Sequence, residues 1–381
     1  MRKVYMISDA IISPLGFSTE ENIQNLRLET TGIKEINDAR LWSEPFYGAQ
    51  IHTEKLEEAW SVVPIKQSYT RLEKMMILSV IKLIEENPYL NMMKCGIIIS
   101  TTKGNIDALK DQNRKEYLDS IAKTIQHHFS LKTKPIILSN ACISGGLALA
   151  VGKRMIQSGE VDDMVVIGGD ILSEFTLSGF FSFQAISKVP CKPFCKNRTG
   201  ISLGEAAAAV WISSRSTINT ANGKEAIIIS GDASANDANH ISGPSRTGEG
   251  LYISIQRALK EAGCKSKQID HINAHGTATM FNDEMEAIAF NRAELQHTPV
   301  TSLKGYYGHT LGASALIESI IAKHCLLNNE LFASYGFEEL GVSPSIDIVR
   351  VHRKQEIRTI LKTASGFGGC NVALVLEKVT I

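Results

Sequence analysis

The chain has 381 residues, 44% hydrophobic and 21% charged, with 40 basic residues balanced by 40 acidic ones. Zero net charge excludes a protein built to hold nucleic acid, which would carry a basic stripe, and with no run of about twenty apolar residues a membrane span is excluded too. Seven scattered cysteines, an odd number, fit a reducing cytoplasmic setting better than a disulfide framework.

The opening MRKVYMISDAIISPLG is interrupted by Asp9 and has no small-residue cleavage site, so it reads as a first strand and not as a leader. A helical pattern over 66–86 leads to a short apolar strand at 95–100. Next come a helix over 106–129, a strand at 134–139, a helix over 142–158, and strands at 164–170 and 206–213. The turn-rich NTANGK (219–224) breaks the chain near its middle. Beyond it, strands at 225–233, 271–277, 300–305 and 357–369 alternate with helices over 248–262, 283–291 and 312–328. This alternation implies βαβ units around a largely buried sheet, an α/β fold. GISLGEAAAAVWIS closes the first part and GFGGCNVALVLEK the second, each a glycine-rich turn feeding an alternating strand. That echo suggests a duplicated unit with halves at 1–218 and 219–381.

Chemistry concentrates in three segments. SNACISGGLALAVGKRMIQSG places Cys142 where an apolar strand turns into a buried helix. A thiol at a helix N-terminus is biased toward thiolate, yet free cysteines are also among the most buried residue types, so nucleophile and core residue both stay open on this stretch alone. INAHGTAT sets His275 at a strand end before a glycine turn and two hydroxyls, Thr277 and Thr279. SLKGYYGHTLGAS sets Lys304 and His309 among glycines at the start of a small-residue helix. Sites in α/β sheets collect at strand carboxyl ends, where glycine lets a substrate approach the backbone. A metal site is not expected: positions 142, 275 and 309 lack the close ligand pairing of zinc sites, and CKPFC (191–195) has no partner pair.

Together these motifs resemble the β-ketoacyl-acyl-carrier-protein synthases, the elongating condensing enzymes of the thiolase superfamily. The resemblance runs from ISPLG near the start to GFGGCN near the end, through NACISGG, PFCKNRTGISLGEAA, NAHGTAT and KGYYGHTLGAS in the family's order. It implies a thiolase-like fold of two pseudo-duplicated α/β halves in five α-β-α-β-α layers. It implies Cys142 as nucleophile, His275 and His309 as the paired histidines, and Lys304 as the lysine of the site. Thr277 and Thr279 would contact a phosphopantetheine arm, which arrives on the carrier protein, so no resident cofactor is expected. Phe367 would gate the acyl pocket, with Gly368 beside it in the substrate-binding loop. Asp283 and Glu286 would order the site, Glu286 with Lys304 holding and tuning the histidines.

The implied reaction is decarboxylative Claisen condensation of malonyl-carrier protein with an acyl chain on Cys142. Backbone N–H groups of Cys142 and Phe367 would hold the tetrahedral oxyanion, and a helix N-terminus would give Cys142 thiolate character. The expected partners are acyl carrier protein, malonyl and acyl thioesters, and a second subunit, as a homodimer or as a heterodimer with a chain-length-factor-like chain. The rival readings are a silent partner subunit and a non-decarboxylating acyltransferase or thiolase-like enzyme. Cys370 follows the terminal glycine run, whereas thiolases place their second cysteine before it, so it reads as packing. Cys195 stands where the family usually has aspartate, and the segment between TTKGN and SNACISG is short for the family.

Overall fold

The computed structural model describes residues 2–110, 115–216, 225–237, 239–240 and 243–381. The NTANGK break and the expected 218/219 boundary lie outside the described residues. The first half runs β1 (Tyr5–Ile12), α1 (Arg71–Glu85), β2 (Gly96–Ser100), α2 (Leu118–His128), β3 (Ile136–Leu138), α3 (Ser144–Ser158), β4 (Asp163–Asp170) and β5 (Ala206–Ser213). The second runs β6 (Glu225–Asn236), α4 (Glu249–Ala262), β7 (His271–Asn273), α5 (Met280–Arg292), β8 (Pro299–Thr301), α6 (Ser314–Asn328), β9 (Thr359–Gly366) and β10 (Cys370–Thr380).

Strand pairing repeats between the halves. β1 and β4 flank β5 antiparallel, β2 joins β4 in parallel, and β3 joins β2 in parallel. In the second half β6 and β9 flank β10 antiparallel, β7 joins β9 in parallel, and β8 joins β7 in parallel. In order of appearance, each half therefore reads third, second, fourth, fifth, first across its sheet. Tyr5 pairs with Ile228, so β1 and β6 join the two sheets edge to edge, and a short strand at Asp347–Ile348 completes an 11-stranded sheet.

Burial explains the elements. β4, MVVIGGD after Asp163, is buried along its whole length, as a strand covered on both faces must be. The capping box between Thr70 and Glu73 starts α1 at Arg71, later than periodicity suggests. Gly159, at φ 80, ends α3 in the left-handed conformation. Helices α3 and α6 pack on each other and touch strands of both halves, forming the middle layer. One apolar cluster surrounds that pair, with residues from both halves. A second lies beneath α1 in the first half, and a third beneath α4 and α5 in the second.

Several expected elements differ. The segment 106–129 holds a 3-10 turn at Ile106–Lys110 and then α2, with 111–114 outside the described residues. The strands expected at 271–277 and 300–305 stop at Asn273 and Thr301: left-handed Gly276 and Ala278 turn the chain away after the first, and a helical turn at Lys304–Tyr307 follows the second. The segment 357–369 is the first arm of the β9–β10 hairpin plus its turn, and the helix at Glu174–Ser182 was not expected. Among the described residues, no helix is long and apolar enough to cross a membrane.

The middle layer rests on a close approach. A Cβ added at Gly145 would sit 2.7 Å from the Leu316 backbone nitrogen and 3.0 Å from the Gly312 carbonyl oxygen. Gly145→Ala is expected to lower stability by about 1–3 kcal/mol through overpacking, read as a lower urea midpoint at unchanged slope.

Candidate active site

The chemistry-bearing residues sit at the carboxyl ends of strands: Cys142 after β3, His275 after β7, Lys304 and His309 after β8, and Phe367 in the β9–β10 turn. Cys142 is presented by a tight elbow. Ala141 takes φ 44, the Asn140 N–H donates to Ser144 Oγ at 2.8 Å, and Ser144 Oγ donates to the Ala141 carbonyl at 2.6 Å. The helix begins two residues beyond the thiol, at Ser144.

The histidine loop is held by two carboxylates one turn apart on α5, a spacing that puts both on one helix face. Glu286 accepts the N–H groups of His275 (2.9 Å) and Gly276 (2.6 Å). Asp283 accepts those of Thr277 (2.9 Å), Ala278 (3.2 Å) and Phe194 (2.7 Å). The loop needs the clamp because Gly276 and Ala278 take φ 47 and 63. Glu286 therefore grips the backbone at His275 and does not touch the imidazole, a correction to the tuning role expected of it.

The His275 and His309 rings meet edge to face, centroids 5.1 Å apart and planes at 82°. One donor atom from each ring and the Cys142 thiol all lie within 4.8 Å of one another. The Lys304 ammonium donates to the His275 carbonyl at 3.0 Å and faces its Nδ1 at 3.4 Å, and the Leu311 N–H donates to His309 Nδ1 at 3.3 Å. A donor at Nδ1 makes that nitrogen the acceptor and leaves the proton on Nε2. Burial holds both histidines well below the usual range, helped for His275 by Lys304, His309 and Lys362, and for His309 by Lys304 and Lys103. Both are neutral Nε2–H donors.

A cavity of about 510 Å³ opens onto these groups. Cys142, His275, His309, Thr277, Thr279 and Phe367 all line it. The two threonine hydroxyls lie 3.0 Å apart. The Phe367 ring stacks on Phe180 at 5.4 Å and meets Phe183 edge-on at 5.3 Å, while its N–H points at the Cys142 sulfur. Gly368 is not brought to the wall: it is the exposed tip of the hairpin, at φ 86, where a Cβ would meet nothing.

Comparison with known proteins decides the family. Residues 82–217 match the N-terminal domain of beta-ketoacyl synthases, and residues 226–338 match the C-terminal domain. The chain belongs to the β-ketoacyl synthase family. It is 33% identical over 252 residues to the 3-oxoacyl-[acyl-carrier-protein] synthase 2 of Rhizobium meliloti, a match covering 63% of this chain and 60% of that protein. A putative mitochondrial 3-oxoacyl-[acyl-carrier-protein] synthase of Schizosaccharomyces pombe is 24% identical, with 99% of each chain covered. The fold matches the complex of the ketosynthase ApeO with its chain length factor ApeC from Xenorhabdus doucetiae, at TM-score 0.84, 24% identity and coverage of 99% of this chain and 98% of that one. It also matches the ishigamide ketosynthase/chain length factor at TM-score 0.88, 22% identity and 99% coverage of each. This is the thiolase-like fold.

Within this β-ketoacyl synthase chain, sequence reading missed two buried charges beside Lys304. Glu318 on α6 pairs with Lys304 through one oxygen and with Lys362 on β9, at 2.8 Å, through the other. Both could have been noticed as single charges inside otherwise apolar segments, LIESII and TILKTA. Cys370 packs behind the nucleophile, its sulfur 3.5 Å from the Phe367 carbonyl, and burial pushes it up to about 12. Cys195 is fully enclosed: burial raises its thiol, and the N–H groups of Glu339, Asn197 and Glu338 outweigh that and leave it lowered.

The thiolate expected at Cys142 is not its resting form. Burial pushes the thiol up to about 11, against the pull of Lys103, Lys304 and the Phe367 N–H, with Asp170 adding to the rise. A helix end supplies about 0.3–1 kcal/mol, ~2 at most in buried settings, and here burial wins. Brief iodoacetamide treatment and peptide mapping should therefore show labelling at Cys142 climbing about tenfold per pH unit from pH ~7 to ~9, the thiolate fraction setting the rate. A plateau over that range contradicts the buried thiol.

Proposed function

We propose that this chain is a 3-oxoacyl-[acyl-carrier-protein] synthase that condenses malonyl-carrier protein with an acyl chain held on Cys142, in fatty-acid or polyketide-type synthesis. The observation that carries this reading is the pair of neutral, buried imidazoles whose Nδ1 atoms face the Lys304 ammonium and the Leu311 N–H. Both Nε2–H groups are then available to one oxygen beside the thiol.

In the first half-reaction the Cys142 sulfur attacks an acyl thioester, and the thiol proton leaves with the departing pantetheine sulfur. The N–H of Phe367, already aimed at Cys142, and that of Cys142 itself hold the tetrahedral oxyanion. In the second, malonyl thioester loses CO₂ and the electron pair of the broken C–C bond becomes an enolate. The two Nε2–H groups stabilise its oxygen. The enolate carbon attacks the acyl-Cys142 carbonyl, and collapse expels the cysteine sulfur, which regains a proton. Thr277 and Thr279 hold the phosphopantetheine arm in the cavity, and Phe367, free to turn beside glycines, gates the acyl side.

The retained thiol argues against a silent partner subunit. The edge of the sheet at β3 supports a dimer: Ile136, 43% exposed, lies on a strand with one open side that a second subunit would pair.

Variants separate the half-reactions. Cys142→Ala should lose acyl-enzyme formation and condensation yet still release CO₂ from malonyl-carrier protein. His275→Ala or His309→Ala should cut CO₂ release by about 10²–10³, the usual effect of one lost oxyanion donor. Labelled malonyl-carrier protein reports CO₂ and intact mass reports the acyl adduct. A folded Cys142→Ala protein that releases no CO₂ refutes this division.

A further inference from the structure

We propose that Lys362 is a second positioning lysine of this site: it engages one oxygen of Glu318 and so leaves Lys304 free to hold Nδ1 of His275. This inference rests on the two-histidine reading above.

An ammonium has three hydrogens. Those of Lys304 face Glu318 Oε1, the His275 carbonyl at 3.0 Å and His275 Nδ1 at 3.4 Å, the last being the longest. Lys362 forms an ion pair with Glu318 Oε2 at 2.8 Å and donates to the Asn273 carbonyl at 3.2 Å and to the Thr363 carbonyl. Both lysines are 1% exposed and Glu318 is 4% exposed at the side chain, so water does not fill a lost contact. With Lys362 removed, Oε2 of Glu318 loses its cation and draws the Lys304 ammonium toward a two-oxygen grip. The weakest Lys304 contact, to Nδ1, is the one given up. His275 is then free to carry its proton on Nδ1, which turns Nε2 from donor to acceptor, the wrong polarity for an enolate oxygen.

Cost points the same way. Lys304 and Glu318 already form a complete ion pair, and a second buried ammonium brings a desolvation penalty of several kcal/mol by itself. A methionine would fill the same space in this strand without that penalty. The charged and titratable groups facing His275 are Glu286 and Asp283 from α5, Lys304 and His309 from the segment after β8, Glu318 from α6, Cys142 before α3 and Lys362 from β9. Of these only Lys304 meets its Nδ1, and only Lys362 shares Glu318 with Lys304.

The test compares the half-reactions in Lys362→Met, with Lys362→Gln as a second variant that keeps a donor for the Asn273 carbonyl if the first does not fold. A bacterial acyl carrier protein loaded with hexanoyl or labelled malonyl groups is the probe. Acyl loading of Cys142 should stay within about twofold of the parent, while CO₂ release falls at least about tenfold, a selective loss matching one weakened oxyanion donor. The pH profile of CO₂ release should also change. Neutral His275 is required, and losing a nearby positive charge raises its pKa, so activity is lost at a higher pH on the acid side than in the parent. Equal loss of both half-reactions, or CO₂ release unchanged in a folded variant, overturns the positioning role. Parent protein that releases no CO₂ refutes the two-histidine reading itself, and this inference with it.

Discussion

The seam between α3 and α6 sets the one distance on which everything else depends. The thiol comes from the first half of the chain, and both imidazoles and the lysine come from the second. Nothing within either half fixes how far apart they stand. Gly145, just inside α3, lets the backbone of Leu316 on α6 come into direct contact, and the same helices carry Cys142 at one start and Glu318 along the other. Stacking two glycines directly after the elbow is thus a spacing device. A thicker residue there would push α3 and α6 apart.

Around that seam the chain uses burial as its main electrostatic instrument. Burial keeps the histidines neutral and the cysteine protonated at rest. Fixed charges then choose which atom of each ring carries hydrogen. Asp283 and Glu286 hold no ring at all, and spend their lone pairs on the strained backbone between His275 and Ala278. Division of labour between carboxylates that shape a loop and an ammonium that sets a tautomer keeps the imidazoles from having to accept a proton from either.

Much of this was legible in the sequence where a motif is local. Cys142, His275, Lys304 and His309 were readable because each sits near glycines after an apolar strand, and the structure brings the thiol and both imidazoles to one cavity with Lys304 behind His275. The echo of GISLGEAAAAVWIS in GFGGCNVALVLEK reflects two strands, β5 and β10, that occupy matching central places. Long-range properties were not readable. The helix end near Cys142 can be seen in sequence, but the burial that overrides it is contributed by Leu177, Phe180, Ile201, Leu203, Leu311 and Phe367, none of them adjacent in the chain. Glu318 and Lys362 are single charges in apolar runs, and only their meeting across the middle layer gives them meaning. Gly368 looked equivalent to its neighbours because sequence does not say which residue of a turn faces outward.

The strand order has a consequence for how the chain is made. Each half places its first strand beside its last, so β1 leaves the ribosome long before β5, its main antiparallel neighbour, exists. Among the described residues its other partner in the sheet, β6, comes later still. Contacts so distant along the sequence close slowly. Through most of translation the N-terminal segment, MRKVYMISDAII, carries an apolar face and open backbone edges with no native strand to meet them, the kind of exposure that invites aggregation or chaperone capture. The same topology that binds both halves into one sheet thus makes the first strand of the sheet among the last to find its partners.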